Sequence, residues 1–136
     1  MDCIFCKIVA KEIPAKIVTE NSRALALLDI HPLVPGHTVV VPKQHADTIL
    51  ELGDEEISPM FALVKQATNL LNKALRPDGF TIGLNHGEAV GQGVPHLHVH
   101  ILPRWTTDGG GNIHSIVKNP PSETLDKILE RIQKVA

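Results

Sequence analysis

The chain has 136 residues, enough for one domain around one core, and its 43% hydrophobic and 21% charged content excludes a disordered chain. A formal net charge of -2 excludes a nucleic-acid binder that relies on a broad basic face, yet leaves room for one nucleotide in a pocket. No apolar run approaches the roughly 20 residues that span a bilayer. Met1-Asp2-Cys3-Ile4-Phe5-Cys6 lacks the basic-then-apolar order of a secretory leader, so cytoplasmic residence is expected.

Residues 3–11 can form a short helix with Ile4, Phe5 and Ile8 turned inward. A strand over 16–20, turn chemistry at Asn21-Ser22 and a returning strand over 23–29 read as a hairpin. Residues 30–36 carry two prolines and a glycine and form a loop. Residues 37–42 are mostly β-branched and apolar, which predicts a central strand. The main amphipathic helix spans 54–75, with Ile57, Phe61, Val64, Thr68, Leu71 and Leu75 as its stripe. Its start is open between Asp54 and Ser58-Pro59. Residues 80–85 form a fourth strand and 94–103 a fifth. Residues 105–112 read as a mobile Gly-rich loop, followed by a helix capped by Ser122. Short connections between consecutive strands predict a mostly antiparallel sheet with segregated helices, an α+β domain covering residues 1–136, its segment from about 105 being a loop and helix extension.

Within the fifth strand, His96-Leu97-His98-Val99-His100-Ile101 alternates imidazole and aliphatic side chains. Strand side chains alternate faces, so Leu97, Val99 and Ile101 point one way and the three histidines the other. Neutral imidazole nitrogens can accept protons, ligate metal or attack phosphorus. A merely His-rich face or an adventitious metal tract would look similar. The run Gly91-Gln92-Gly93-Val94 leads directly into it, however, and allows close approach of backbone N–H groups to an anion.

The pattern His96-Leu97-His98-Val99-His100-Ile101-Leu102 resembles the signature of the histidine-triad (HIT) superfamily, and residues 3–104 resemble its Hint-like branch of small prokaryotic proteins with an N-terminal Cys pair. That resemblance implies the HIT fold, a five-stranded mainly antiparallel sheet with a long helix and a C-terminal helix, pairing edge to edge into a homodimer. It also implies hydrolysis of a purine nucleoside monophosphate joined to a small leaving group, of the adenosine 5′-phosphoramidate type, through a nucleotidyl-histidine. Dinucleoside polyphosphate hydrolysis, or nucleotide sensing with little turnover, are the alternatives. His98 matches the nucleophile and His100 the phosphate-side partner, with His96 and Gln92 completing the catalytic set.

The same resemblance assigns Gly91, Gln92, Gly93 and Val94 to the phosphate, with Asn85 one strand end upstream. Asp29 is assigned to the ribose hydroxyls. Phe5, Ile8, Leu27, Ile30 and Val39 are assigned to an apolar base pocket, and His37 to the neighbourhood of the triad. Gly93 stands where many relatives carry Ser or Thr, so a hydroxyl contact is missing. His31, His86 and His114 read as surface residues.

Cys3-x-x-Cys6 admits three readings: a redox dithiol, half of a zinc site, or two buried thiols. A thioredoxin-like motif needs a preceding strand, and residue 3 leaves no room for one. Relatives that keep the Cys pair complete it with histidines matching His45 and His96. Four such ligands would close a tetrahedron around a structural zinc and take His96 out of the catalytic group.

Overall fold

The computed structural model of the protein describes residues 2–136. In chain order the elements are α1 (Ile4–Val9), β1 (Ile17–Glu20), β2 (Ala24–Leu28), β3 (Thr38–Pro42), α2 (Asp54–Leu75), β4 (Gly79–Gly83), β5 (Val99–Arg104) and α3 (Leu125–Lys134). The strands form one sheet in the order β1-β2-β3-β5-β4. Every pairing is antiparallel. The α+β reading and the five strands stand as expected.

The hairpin closes where the Asn21 side chain accepts from the amides of Arg23 and Ala24, at 2.9 and 2.8 Å, a turn that Asn makes with its own backbone. β3 is buried along its whole length, in keeping with its β-branched run and central place. Alternation then splits the sheet into two faces. Ala24, Ala26, Val40, Val99 and Ile101 face α2, where Met60, Leu63 and Ala67 complete the main core. Leu25, Leu27, Val39 and Val41 face the other way and are covered by Cys3 and Phe5 of the N-terminal segment. Burying Met60 or Leu63 fully is worth about 1.5–3 kcal/mol each.

α2 begins at Asp54, with Gly53 as its N-cap and Pro59 inside. Its buried line is rotated from the predicted stripe. Met60, Leu63, Val64, Ala67 and Leu71 go inward, while Phe61 is 42% exposed. The alanines at 24, 26 and 67 leave room for close approach, so the helix turns its small residue to the sheet instead of the ring. Phe61 instead lines a groove of about 610 Å³ beside β4, one of the sheet's two edge strands, together with Phe80 and Ile82.

Other expectations are corrected at the ends of the chain. Ile4 is exposed although Phe5 is buried. Thr124, not Ser122, caps α3, its hydroxyl accepting from the Lys127 amide at 3.2 Å. No side chain of α3 is buried. The loop after Trp105 is gathered around one ion pair: Arg104 donates to both oxygens of Asp108, to Thr81 Oγ1 and to the carbonyl of Gly111. β5 also starts later than predicted. His96 N–H closes onto the Val94 carbonyl at 2.8 Å around Pro95, so the chain bends there before entering the ladder at Val99. Among the described residues, no helix is long and apolar enough to cross a membrane.

Candidate active site

Leu97, Val99 and Ile101 enter the main core, which leaves the imidazoles on the opposite side as the alternation predicted. His98 and His100 lie with ring centroids 5.0 Å apart, and the Phe5 ring stands 5.3 Å from His98. Each ring's hydrogen bonds fix its tautomer. His98 Nδ1 is 2.8 Å from the carbonyl of His96. A carbonyl only accepts, so Nδ1 carries the proton and Nε2 keeps its lone pair.

His100 is set from one residue further back. The Leu33 amide donates to His37 Nδ1 at 3.2 Å, which leaves the His37 proton on Nε2. That proton points to His100 Nδ1 at 2.9 Å. His100 therefore carries its own proton on Nε2, as a donor. Burial pushes the His100 pKa down to about 4, with the imidazoles of His98 and His37 adding to it. Burial lowers His37 too, against the pull of Asp29. Side by side stand one imidazole with a free lone pair and one neutral imidazole with an N–H.

Sheet register places the remaining groups. Leu27, Val39 and His100 face one another across β2, β3 and β5, with Gly83 of β4 next in the row. A Cβ built on Gly83 would meet nothing within 4 Å, so the place beyond His100 is open. Phe5, Ile8, Leu27 and Val39 share one apolar cluster, whereas Ile30, expected among them, is 76% exposed on its loop. Asp29 sits at the end of β2. One carboxylate oxygen accepts from the His31 amide at 2.8 Å and the other lies 3.5 Å from His37 Nε2.

The segment before the triad makes a 3-10 turn, Glu88–Val90, between Gly87 and Gly91, whose φ angles of +103° and +104° strain any other residue. Among the described residues, the N–H groups of Gly93 and Val94 have no partner. Asn85 lies against this loop, since a Cβ on Gly91 would come within 3.3 Å of its side-chain nitrogen. At Gly93 a Cβ would meet nothing within 4 Å.

Gln92 behaves differently from the expectation. It is 9% exposed, its amide nitrogen donates to the carbonyls of Asp47 and Val94, and its oxygen accepts from the Gly87 amide. Its side-chain donors are consumed by the fold and are not offered to a phosphate. His96 is likewise withdrawn from the catalytic set: with 0% exposure it is out of reach of any substrate.

The buried His96 ring belongs to a second cluster, with Cys3, Cys6 and His45. His96 Nδ1 lies 3.3 Å from Cys3 Sγ, 3.6 Å from Cys6 Sγ and 3.1 Å from His45 Nδ1, and His45 Nδ1 lies 3.3 Å from Cys6 Sγ. Bonds of about 2.3 Å to sulfur and 2.0 Å to nitrogen give tetrahedral edges of roughly 3.5 Å for S···N and 3.3 Å for N···N. The donor set matches. Both far nitrogens are already engaged, His96 Nε2 with the Pro42 carbonyl at 2.9 Å and His45 Nε2 with Asp47 at 2.8 Å. Two Nδ1 lone pairs thus converge with two thiols, and these four residues could hold a zinc ion.

The region of residues 10–107 matches the family model of the HIT domain. The chain belongs to the HIT family. An uncharacterized HIT-like protein of Methanocaldococcus jannaschii is 44% identical over 96% of this chain and 98% of its own length. The adenosine 5′-monophosphoramidase hnt1 of Schizosaccharomyces pombe is 42% identical, covering 81% of this chain and 80% of itself. Among solved structures, a HIT family member from Bacillus subtilis superposes with a TM-score of 0.88 at 37% identity, over 98% of this chain and 96% of that one.

For a HIT protein read from its sequence, two participants escape notice. Asp47 orients a candidate metal ligand, and its only signal is a carboxylate two positions after His45. The Leu33 amide sets the state of His37, and a backbone group leaves no mark in a sequence.

Proposed function

We propose that this HIT protein is a purine nucleotide-binding hydrolase that cleaves a nucleoside monophosphate from a small leaving group, as in adenosine 5′-phosphoramidates. The observation that carries this reading is the pairing of a lone pair on His98 Nε2 with an N–H on His100 Nε2, beside two unpartnered loop amides. His98 Nε2 attacks the phosphorus and the bond to the leaving-group nitrogen breaks. His100 Nε2–H gives its proton to that nitrogen, and the base so formed keeps the hydrogen bond from His37 at Nδ1 until water returns a proton to Nε2. The positive charge on His98 rests on the Nδ1–H bond to the His96 carbonyl. Water then attacks the phosphorus and gives a proton to His100 Nε2 while the P–N bond to His98 breaks, which releases the nucleoside monophosphate and restores both rings.

The amides of Gly93 and Val94, with Asn85, take the phosphoryl oxygens, and Asp29 takes the ribose hydroxyls. Phe5, Ile8, Leu27 and Val39 bury the base without reading its edges, which favours purines with loose discrimination. Cys3, Cys6, His45 and His96 would hold a structural zinc, which supplies four-coordinate closure and no open position for substrate. The β4 edge and the groove at Phe61 fit a homodimer in which a second copy extends the sheet. Neither nucleic acid nor membrane is a partner in this reading.

A second reading, nucleotide sensing with little turnover, is favoured by Gly93, which offers no hydroxyl near the leaving group. Wild type and His98→Ala are compared on an AMP-amidate and on a diadenosine polyphosphate. The expected result is turnover of the amidate by wild type alone. Equal turnover by both proteins would remove the mechanism, a preference for the polyphosphate would change the substrate class, and tight AMP binding without turnover would favour the sensor.

A further inference from the structure

The Cys3-Cys6-His45-His96 donor set and the loop at residues 91–94 share no residue. A continuous chain of hydrogen bonds joins them. His45 presents Nδ1 to the donor set and its Nε2 lies 2.8 Å from Asp47 Oδ1. The backbone carbonyl of the same Asp47 accepts from Gln92 Nε2 at 2.6 Å. Gln92 then holds the loop at two points, through the Val94 carbonyl at 3.1 Å and the Gly87 amide at 2.8 Å. A cleft of about 530 Å³ lies between residues 47–48 and 87–95, and Gln92 reaches across it. Next to the Val94 carbonyl that Gln92 holds, the amides of Gly93 and Val94 are without a partner among the described residues.

We propose that Asp47 and Gln92 are positioning residues that couple metal occupancy of the Cys3-Cys6-His45-His96 centre to anion affinity at the Gly93 and Val94 amides. This rests on the nucleotide reading above and names a regulation of that same site. With a metal bound, the His45 ring is pinned at Nδ1 and holds Asp47 through Nε2. Asp47 then presents a fixed carbonyl to Gln92, and the loop meets a phosphate already ordered. Without metal, the His45 ring has only the Cys6 thiol, a weak partner 3.3 Å from Nδ1, to oppose the Asp47 end, and the loop must be ordered when the anion arrives, which weakens binding. His96 offers a parallel route to His98 through its carbonyl, but that route bears on the nucleophile and bypasses Gln92.

Coupling between two sites is reciprocal, and typical couplings change affinity 5- to 150-fold. AMP binding is measured by calorimetry on the full chain, zinc-loaded and chelator-stripped. Wild type should lose about tenfold in AMP affinity on stripping. Gln92→Met and Asp47→Ala, with zinc content equal to wild type, should lose less than about threefold, and Asp47→Asn, which keeps an acceptor oxygen, should restore the wild-type loss. The reverse measurement covers stripped protein that fails to stay folded: in competition with a chromophoric chelator, AMP should raise zinc affinity about tenfold in wild type and leave it unchanged in Gln92→Met. Equal AMP affinity with and without zinc, or an undiminished effect in both variants, would overturn the coupling while leaving the nucleotide site intact. Failure of both the zinc-loaded and the stripped form to bind AMP would instead remove the nucleotide reading, and this proposal with it.

Discussion

His96 and His98 sit two residues apart, on the same side of the same segment, and are prepared for opposite work. His96 gives its Nε2 to the Pro42 carbonyl and turns Nδ1 toward two thiols, buried from any substrate. His98 gives its Nδ1 to the His96 carbonyl and keeps Nε2 free. The side chain is the same and both rings stand beside Phe5 in the bend that precedes β5; the carbonyl that takes one nitrogen decides what the other can do. In the proposed reading the triad is two half-sites back to back, one structural and one chemical, joined through the His96 carbonyl.

The sharpest way to break this division is His98→Ala. Turnover of an AMP-amidate should fall by roughly 10⁴-fold or more, with zinc content unchanged by elemental analysis. His96→Gln or Cys6→Ser should act from the other side. Metal content falls first, and Tm drops by about 10 °C in calorimetry, since a lost structural metal is lost folding energy. If His96→Gln kept its metal and Tm but lost only turnover, the assignment of the two rings would be reversed.

A smaller effect is expected at the donor ring. His100→Gln should slow turnover by about 10²- to 10³-fold, and the loss should shrink as leaving groups need less protonation. The state of that ring can also be followed through stability. Folding lowers the proton affinity of His100 and His37, from 6.5 to about 4 for His100. As pH falls below about 6.5, the unfolded chain takes up those protons first, so stability present at neutral pH is lost toward pH 4. Tm measured between pH 7 and 4 should decline for wild type and less steeply for His100→Gln. The smallest change is Gly93→Ser. Open space surrounds that position, so Tm should stay within a degree or so while leaving-group preference shifts by a few fold.

The sequence made the two faces of β5 legible because Leu97, Val99 and Ile101 are aliphatic without interruption. The same clarity placed β3 at the sheet centre. The phase of α2 was not legible, because Phe61 weighs heavily in a periodicity count while Ala67, fully buried in the main core, weighs little. α3 was found from its stripe of Leu125, Leu129 and Ile132, but its exposed packing was not, since periodicity says which face is apolar and not whether anything covers it. In the site, the duty of His98 rested on family resemblance. The structure supplies a physical reason for it, a carbonyl two residues back. Gln92 is assigned to the phosphate by its resemblance to the family's loop segment. Its amide is turned by the Asp47 carbonyl, 45 residues away in sequence, and local spacing carries no trace of that.

The Leu33 amide, donating to His37 Nδ1, stands at the far end of the line that arms His100. Being main chain, it survives every ordinary side-chain replacement, so an alanine scan of residues 30–36 would pass over it in silence. Only deleting the hydrogen itself, as Leu33→Pro would, exposes its part, and a loop that lends the proposed reaction no side chain then shows up as a determinant of rate.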